Sequence, residues 1–452
     1  MRTSVAIIGA GFSGTLTAIH LSRRCSSDHP IDIYLIDPRG SFGPGLAYSP
    51  PSDRFKLNVQ AKAMGAFPDD VESFYRWMKE RHPNTSPNDF APRRLYGEYL
   101  TDLLAEETRR STGAVIHQRA EEVIEITRVS TRGEWELTFK SGSRLVVDAC
   151  VLALGNLMRS PPQPPGSPPV ARQPFDPASY ENISARNRVV ILGSGLTAVD
   201  VILECEARGF KGTYTVVSRH GRFPRAHEEL PTSAVAHLPR DWDTKGSVRS
   251  LVAMIRSESR RLGSSQPVFE AMRPKIQSMW EHLSFSERRR FLRHARPVWE
   301  IHRHRIPAEH GRALSRLVET DRLRIVAGRF LQSEGDSSQV TVTIRERGAS
   351  PTCTLRERFD VAFQCTGPEG DITQSNSPLL RSLVAQGLIT PGPLRLGPLR
   401  DTSDGAPLWL IGPLRRETLW ETTAVREIRE QAYEVAAEVR SYLSRAATPH
   451  KQ

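Results

Sequence analysis

Two glycine-rich turns, each entered from a short apolar strand and left through a helix, predict an α/β chain. The expected architecture is two Rossmann-like dinucleotide-binding domains with helical insertions. The first turn follows Val5-Ala6-Ile7-Ile8 and reads Gly9-Ala10-Gly11-Phe12-Ser13-Gly14. The second follows Val189-Val190-Ile191-Leu192 and reads Gly193-Ser194-Gly195-Leu196-Thr197-Ala198. A third observation supports the first two: apolar runs end again at Gly155, Gly367 and Gly412, as buried parallel strands with glycine turns do.

Each glycine of the first turn has a physical task. Gly9 permits a tight exit from the strand, Gly11 allows backbone to approach a pyrophosphate, and Gly14 lets helix and strand pack closely. The helix start then offers free N–H groups and a positive dipole end to the phosphates. Ile33-Tyr34-Leu35-Ile36-Asp37 is the next strand, and Asp37 lies 23 residues past Gly14, a spacing suited to a ribose hydroxyl. In the second unit the strand Thr213–Val217 leads into Ser218-Arg219-His220, with Arg222 and Arg225 close behind. An acid at that place repels a 2′-phosphate, whereas arginine pairs with one. The second unit is therefore expected to take NADPH, through Gly193, Ser194, Gly195, Leu196, Thr197, Ala198, Ser218 and Arg219.

Between these units the chain divides as follows. Residues 1–160 form the first part of one domain, with a helical insertion over about 43–110. Within it, Val71–Arg81 and Tyr96–Arg109 have helical spacing, and Tyr96, Tyr99, Leu100, Leu103 and Leu104 share a face that reads as core. A proline-rich linker is expected over 161–185, since proline lacks the N–H that helices and ladders need. The second domain covers 186–350, with a basic helical insertion over about 240–317, and the chain returns to the first domain over 351–452. The insertion is expected to hold helices at Leu251–Leu262, Phe269–Leu283 and Phe285–Arg296, the last opened by the capping box Ser284-x-x-Glu287. It ends in the cationic cluster Trp299-Glu300-Ile301-His302-Arg303-His304-Arg305, a candidate for binding an acidic substrate or the NADPH phosphates.

Composition bounds the rest. The 452 residues carry a net charge of +11, with 38% hydrophobic and 25% charged residues, as in ordinary globular proteins. No apolar run approaches the roughly 20 residues that span a bilayer. The chain enters a strand almost at its first residue, so a signal peptide is not expected and a cytoplasmic setting is. The cysteines Cys25, Cys150, Cys205, Cys353 and Cys365 are scattered, without a Cys-x-x-Cys pair or zinc-ligand spacing, which argues against a dithiol centre and a bound metal. The positive charge admits a polyanionic cofactor or nucleic acid. The arginine-rich insertion, though, lacks the interleaved exposed aromatics that stack bases.

Taken together, Phe42-Gly43-Pro44-Gly45-Leu46-Ala47-Tyr48, Leu57-Asn58-Val59, Arg94–Leu100, Gly193–Asp200, His302–Arg305 and Gly412–Thr423 carry a resemblance. The chain resembles the two-dinucleotide-binding-domain flavoproteins, within them the FAD/NAD(P)-binding group, and more loosely the N-hydroxylating and class B flavin monooxygenases. The resemblance implies FAD on the first unit, with Gly9, Gly11, Phe12, Ser13, Gly14, Asp37, Asn58, Gly155, Asn156, Gly412 and Pro413 as its contacts. Pro413 stands where such flavoproteins usually carry an acid. It also implies NADPH as hydride donor and a small-molecule substrate, an amine or amino acid. The expected activity is a single-component monooxygenase, in which reduced flavin traps oxygen as a C4a-(hydro)peroxide. A flavin reductase or dehydrogenase without oxygen insertion, and an RNA- or partner-binding flavoprotein, are the alternatives. Asn58, His302, Arg303 and Arg305 are the catalytic candidates.

Overall fold

The computed structural model describes residues 2–129, 133–159, 171–231, 233–336, 339–350, 353–400 and 405–447. They form two compact units: residues 1–49, 59–158 and 368–452 make the first, and residues 50–58 and 159–367 the second.

In the first unit five parallel strands lie in the order Leu408–Leu410, Ala149–Leu152, Thr3–Ile8, Ile31–Ile36 and Ala114–Arg119. The register sets Ile8 beside both Ile36 and Leu152, so the three central strands end together and Gly9 emerges at their shared carboxyl edge. That edge is where doubly wound sheets bind ligands. The helix Phe12–Ser22 is buried along its whole length, packed by the helix Arg93–Arg110 and by the C-terminal helix Val425–Ala447. Such a helix has no polar face to spare. The hydroxyls of Thr15 and Thr17 turn back onto the Ala10 and Ser13 carbonyls at 3.1 and 2.8 Å, so their burial leaves no donor unmet. A three-stranded antiparallel sheet, Val123–Arg128, Trp135–Phe139 and Arg144–Val147, buries Trp135, Leu137 and Phe139 in the same core as Ala6, Ile8 and Leu152.

The helical insertion of this unit carries the expected stripe, except that Leu103 is only half-buried. Ser73–Arg81 and Arg93–Arg110 bury Phe74, Met78, Tyr96, Tyr99, Leu100 and Leu104, and the aromatic rings pack on one another, Phe74 and Tyr96 at 4.9 Å between centroids.

The second unit holds four parallel strands, Val361–Gln364, Arg188–Leu192, Thr213–Ser218 and Leu323–Gly335, continued by Val340–Glu346 and Leu355–Phe359 in antiparallel pairing. Leu323–Gly335 serves both halves. Its start pairs in parallel with Tyr214–Ser218, and its end pairs with Val340–Glu346 after a register shift at Phe330/Gln332.

Three boundaries differ from the sequence expectation. The second unit runs to Gly367, beyond residue 350, because Leu355–Phe359 completes its edge and Val361–Gln364 pairs with Arg188–Leu192. Residues 50–58 belong to it as well: Phe55 is fully buried among Tyr180, Val189 and Ile202, and the Ser52 hydroxyl donates to Glu204. Of the expected linker, residues 161–170 lie outside the described residues, and 171–185 are not a linker. Arg172 forms a bridge with Phe363, and the buried Tyr180 donates from its hydroxyl to the Pro174 carbonyl at 2.8 Å. Proline removes donors but not apolar surface, so a proline-rich stretch can still pack as part of a core.

The basic insertion contains more breaks than its periodicity suggests. The expected helix Phe269–Leu283 is two helices, Gln266–Met272 and Ile276–His282, parted by a turn at Arg273-Pro274-Lys275, where Pro274 cannot donate. Ser284 does cap the next helix by accepting from the Glu287 N–H at 3.3 Å. The Glu287 carboxylate does not close the box; it accepts instead from the Val248 N–H at 2.8 Å, capping the neighbouring helix Val248–Leu262. The segment then continues through a π-helical stretch, Phe291–Ala295, into Arg296–Arg303.

Candidate cofactor and anion sites

The first glycine turn is a site built from backbone. Gly9 has φ +104°, and a Cβ there would fall 2.2 Å from the Ala153 carbonyl oxygen. Gly14 is as restricted: its Cβ would meet the Gly9 oxygen at 1.9 Å. Gly11 begins the helix without any side-chain cap, so the first-turn N–H groups keep their donors for a ligand. Two further glycines come up to this turn. Gly45 lies so close that a Cβ on it would be 2.7 Å from the Gly11 Cα, and the Gly43 N–H donates to the Ala10 carbonyl at 2.8 Å. Gly412, at φ +71°, sits against Ser13, where a Cβ would come 2.6 Å from the hydroxyl. Gln431 and Thr422 fix it there. The Gly412 N–H donates to the Gln431 side chain at 3.1 Å, and the Thr422 hydroxyl donates to the Gly412 carbonyl at 2.7 Å. Pro413 follows at the start of a short 3-10 helix, Gly412–Glu417, a position that needs no N–H.

Asp37 stands at the end of its strand, 3% exposed, and accepts from the Ala10 N–H at 3.1 Å. Arg39 grips the same carboxylate with Nε and a terminal nitrogen at 3.0 and 2.9 Å. Burial alone would raise the pKa of this acid, but the Arg39 contacts and the Ala10 N–H outweigh it and hold the carboxyl below its ordinary value. Gly155, at φ +66°, has nothing within 4 Å of a would-be Cβ, and Asn156 beside it is exposed. Asn58 does not join this group: it lies in the second unit, where its carbonyl accepts from His227 at 3.2 Å.

The second turn repeats the same backbone. Gly193 has φ +111° and would place a Cβ 2.0 Å from the Cys365 oxygen, and Gly195 starts the helix Leu196–Ala207 uncapped. The Gly193 N–H donates to the Val217 carbonyl, as the Gly9 N–H does to Ile36. By that register Ser218, not Arg219, is the counterpart of Asp37. The Ser194 hydroxyl lies 2.8 Å from the Ser218 hydroxyl and 2.6 Å from the Arg222 carbonyl, tying the glycine turn to the loop that follows the strand. Arg219 is exposed, and Arg347 donates to His220 Nδ1 at 3.1 Å.

The cationic cluster divides into groups with different work. Arg305 is 4% exposed and engages protein through both terminal nitrogens: the Ala226 carbonyl at 2.7 Å, Glu228 at 2.9 Å and the Ser265 hydroxyl at 2.8 Å. The expectation that it meets ligand directly is therefore replaced by a structural one, because a buried guanidinium needs such partners. His304 pairs with Glu300 at 3.2 Å, and Arg303 is half-buried. Of the catalytic candidates, His302 opens on a cleft of about 430 Å³, whose walls are Arg222, Phe223, Arg225, Ile301 and His302. Its Nδ1 lies 2.7 Å from the Ser265 hydroxyl, and its ring stacks on Phe269 at 5.6 Å between centroids. Ser265, Phe223 and the Gly45–Gly11 approach carry no sequence signal that singles them out; only tertiary proximity does.

Elsewhere in the insertion, several charges are matched. Arg261 pairs with Glu258, Arg290 with Glu287 and Lys275 with Asp243, while Arg288 lies over the Trp280 ring. The cysteines are unpaired; Cys150, Cys205 and Cys365 are buried, and burial pushes the Cys205 thiol up to about 12. Among the described residues no helix is long and apolar enough to cross a membrane, and no group of three or more acidic, histidine or cysteine side chains could hold a metal.

Comparison with known proteins agrees with this arrangement. Residues 6–157 match a family described as FAD-NAD(P)-binding. No curated protein matches the chain. Solved structures do. The L-lysine 6-monooxygenase of Pseudomonas syringae is 16% identical with a TM-score of 0.65, over 99% of this chain and 100% of that one. The ornithine N-hydroxylase of Kutzneria sp. 744, solved with reduced FAD, NADP⁺ and L-ornithine, is 14% identical with a TM-score of 0.62, over 99% and 100%. The bacillithiol disulfide reductase of Staphylococcus aureus is 13% identical with a TM-score of 0.57, over 98% and 99%. Residues 6–157 are thus an FAD/NAD(P)-binding domain, and the whole chain has the fold of the two-dinucleotide-binding-domain flavoproteins.

Proposed function

We propose that the protein is an FAD-dependent, NADPH-using oxidoreductase, acting as a single-component monooxygenase on a small amine or amino acid. The observation that carries the cofactor reading is the first glycine turn. There Gly9, Gly11, Gly14, Gly45 and Gly412 bring bare backbone around an uncapped helix start, with Asp37 ionised beside it. Side chains are excluded where a diphosphate has to approach, so the residues present fit FAD. Gly9, Gly11, Phe12, Ser13 and Gly14 would hold its diphosphate, Asp37 its ribose, and the Gly412–Pro413 backbone would lie near the flavin. When bound, FAD supplies the hydride-accepting and oxygen-activating chemistry.

The second turn supports NADPH. Gly193, Ser194, Gly195, Leu196, Thr197 and Ala198 form its pyrophosphate site, and Ser218, with no carboxylate to repel it, admits a 2′-phosphate that exposed Arg219 can reach. The monooxygenase reading draws on the likeness to the lysine and ornithine hydroxylases. The alternative of disulfide reduction, suggested by the bacillithiol enzyme, lacks support in the cysteines, which are unpaired and in three cases buried. Five unpaired cysteines also fit a cytoplasmic setting.

The test is anaerobic reduction of the purified yellow protein by NADPH, followed by mixing with oxygen. A long-lived spectral species before the oxidised flavin returns, shortened by an amine substrate, is expected. Immediate reoxidation, with hydrogen peroxide formed in step with NADPH for every amine tried, would mark a reductase instead.

A further inference from the structure

We propose that the cleft formed by Arg222, Phe223, Arg225, Ile301 and His302 is an oxyanion site in which neutral His302 donates a hydrogen bond from Nε2. The ligand group is a phosphate monoester or a carboxylate, carried on a body that can lie against Phe223 and Ile301.

The donor role follows from a chain of three side chains. An arginine can only donate, so the Ser265 hydroxyl accepts from Arg305 at 2.8 Å. That hydroxyl has one proton of its own and lies 2.7 Å from His302 Nδ1. If Nδ1 carried the ring proton, Ser265 would accept twice and its own proton would have no protein partner. If Nδ1 accepts, the Ser265 hydroxyl both accepts and donates within the protein. Ser265 then donates to His302, and the ring proton resides on Nε2. Arg305 cannot drift from this duty, because Glu228 and the Ala226 carbonyl hold its other terminal nitrogen at 2.9 and 2.7 Å. The segment beneath is fixed as well: Arg225 N–H donates to the Ile301 carbonyl at 2.8 Å, and Ile306 N–H to the Arg225 carbonyl at 2.9 Å.

The charges around the ring keep it neutral. Burial first, then Arg225, Arg305 and Arg222, against the single opposing carboxylate of Glu228, lower its pKa to about 4. The imidazole is thus a directed dipole rather than another cation, set in a cleft whose permanent positive charge comes from exposed Arg222 and Arg225. Phe269 stacks on one face of the ring and restricts its rotation. Two guanidinium groups and an N–H donor lining one cleft suit an oxyanion, and the cleft volume leaves room for more than the anion itself.

Two sources of the anion are separable by titration of the full-length FAD-loaded protein. The probes are adenosine 2′,5′-bisphosphate against ADP, and L-ornithine against 1,4-diaminobutane, which lacks the carboxylate. A 2′-phosphate at the site predicts that His302→Ala weakens the bisphosphate about tenfold, the worth of a hydrogen bond to a charged group, and leaves ADP unchanged. A substrate carboxylate predicts the same tenfold loss for ornithine alone. In either case His302→Gln, which restores an N–H donor, should recover most of the loss, and Arg222→Ala should show the same ligand preference. Imidazole ¹⁵N shifts should report the Nε2–H tautomer of His302 in the wild type and its loss in Ser265→Ala. An Nδ1–H tautomer in the wild type, or His302→Ala binding all four probes as the wild type does, would overturn the proposal. The first and last of these readings do not depend on any monooxygenase activity, so the site can fail or stand apart from that function.

Discussion

The two glycine turns have nearly the same backbone and different surroundings. Gly9 and Gly193 sit at φ +104° and +111°, and Gly11 and Gly195 start their helices at φ −77° and −80°. The first turn is covered: Gly45 packs on Gly11, and Gly412 on Ser13. The second is open, with nothing within 4 Å of a Cβ at Gly195. At the following strand end the first has Asp37 clamped by Arg39, and the second has Ser218 tied to Ser194, with cations beyond. On the proposed function, the shared backbone receives a diphosphate in both, while the strand end and the covering loop distinguish a resident cofactor from one that must come and go. On that reading the enclosed turn retains FAD and the open one exchanges NADPH.

The largest expected effects come from the glycines that the two turns share. Gly9→Ala combines positive φ with a clash on the Ala153 carbonyl, and should destabilise the protein by roughly 3 kcal/mol or more and release FAD. Thermal unfolding and the flavin-to-protein absorbance ratio after desalting would measure this. Gly195→Ala meets no atom, so melting should be unchanged, but its methyl stands where the pyrophosphate approaches. An increase in NADPH KM of about tenfold, with FAD still bound, is expected. Equal melting losses in the two variants would break the comparison.

A second pair of variants addresses the strand ends. Ser218→Asp should lower kcat/KM for NADPH about tenfold and move preference toward NADH, and Arg219→Ala should lower it by a smaller factor. A stopped-flow series of flavin reduction with both nucleotides measures this. Gly45→Ala, at φ +57° and 2.7 Å from Gly11, should loosen FAD without changing the NADPH/NADH ratio, which apoprotein reconstitution would read.

The smallest effect concerns pH, and again each unit has one histidine to compare. His20, 4% exposed among Phe67, Tyr433, Arg23 and Arg24, has an unpartnered Nε2, and burial first, then Arg24 and Arg23, lower its pKa to about 4. The unfolded chain binds that proton at higher pH, so stability is fully present above pH 6.5 and falls as pH drops toward 4. At pH 5 the loss from His20 is about 2 kcal/mol, and His20→Leu should remove that share of the pH dependence in urea melts at pH 5 and 7. His302 carries the same sign, with a smaller effect because its ring is only half-buried.

Much of the fold was legible because its signals are local. A glycine at positive φ, a continuous apolar strand and an uncapped helix start are each decided within about ten residues. That range is enough to place both turns, the strands entering Gly155 and Gly367, and the buried aromatic stripe of Tyr96 and Tyr99. That stripe reads correctly as core.

Tertiary structure alone decided the rest, because it brings together residues whose separation in the chain is not constrained by period or motif. It moved residues 50–58 into the second unit through the burial of Phe55. It took Arg305 from a ligand contact to a buried brace, since a guanidinium that loses water must find protein acceptors, and Glu228 and the Ala226 carbonyl supply them. It directed the Glu287 carboxylate to another helix's N-terminus. It also set Ser265 between Arg305 and His302, 40 and 37 residues away. Local sequence determined where the two glycine turns lie; long-range packing decided which side chains stand around them.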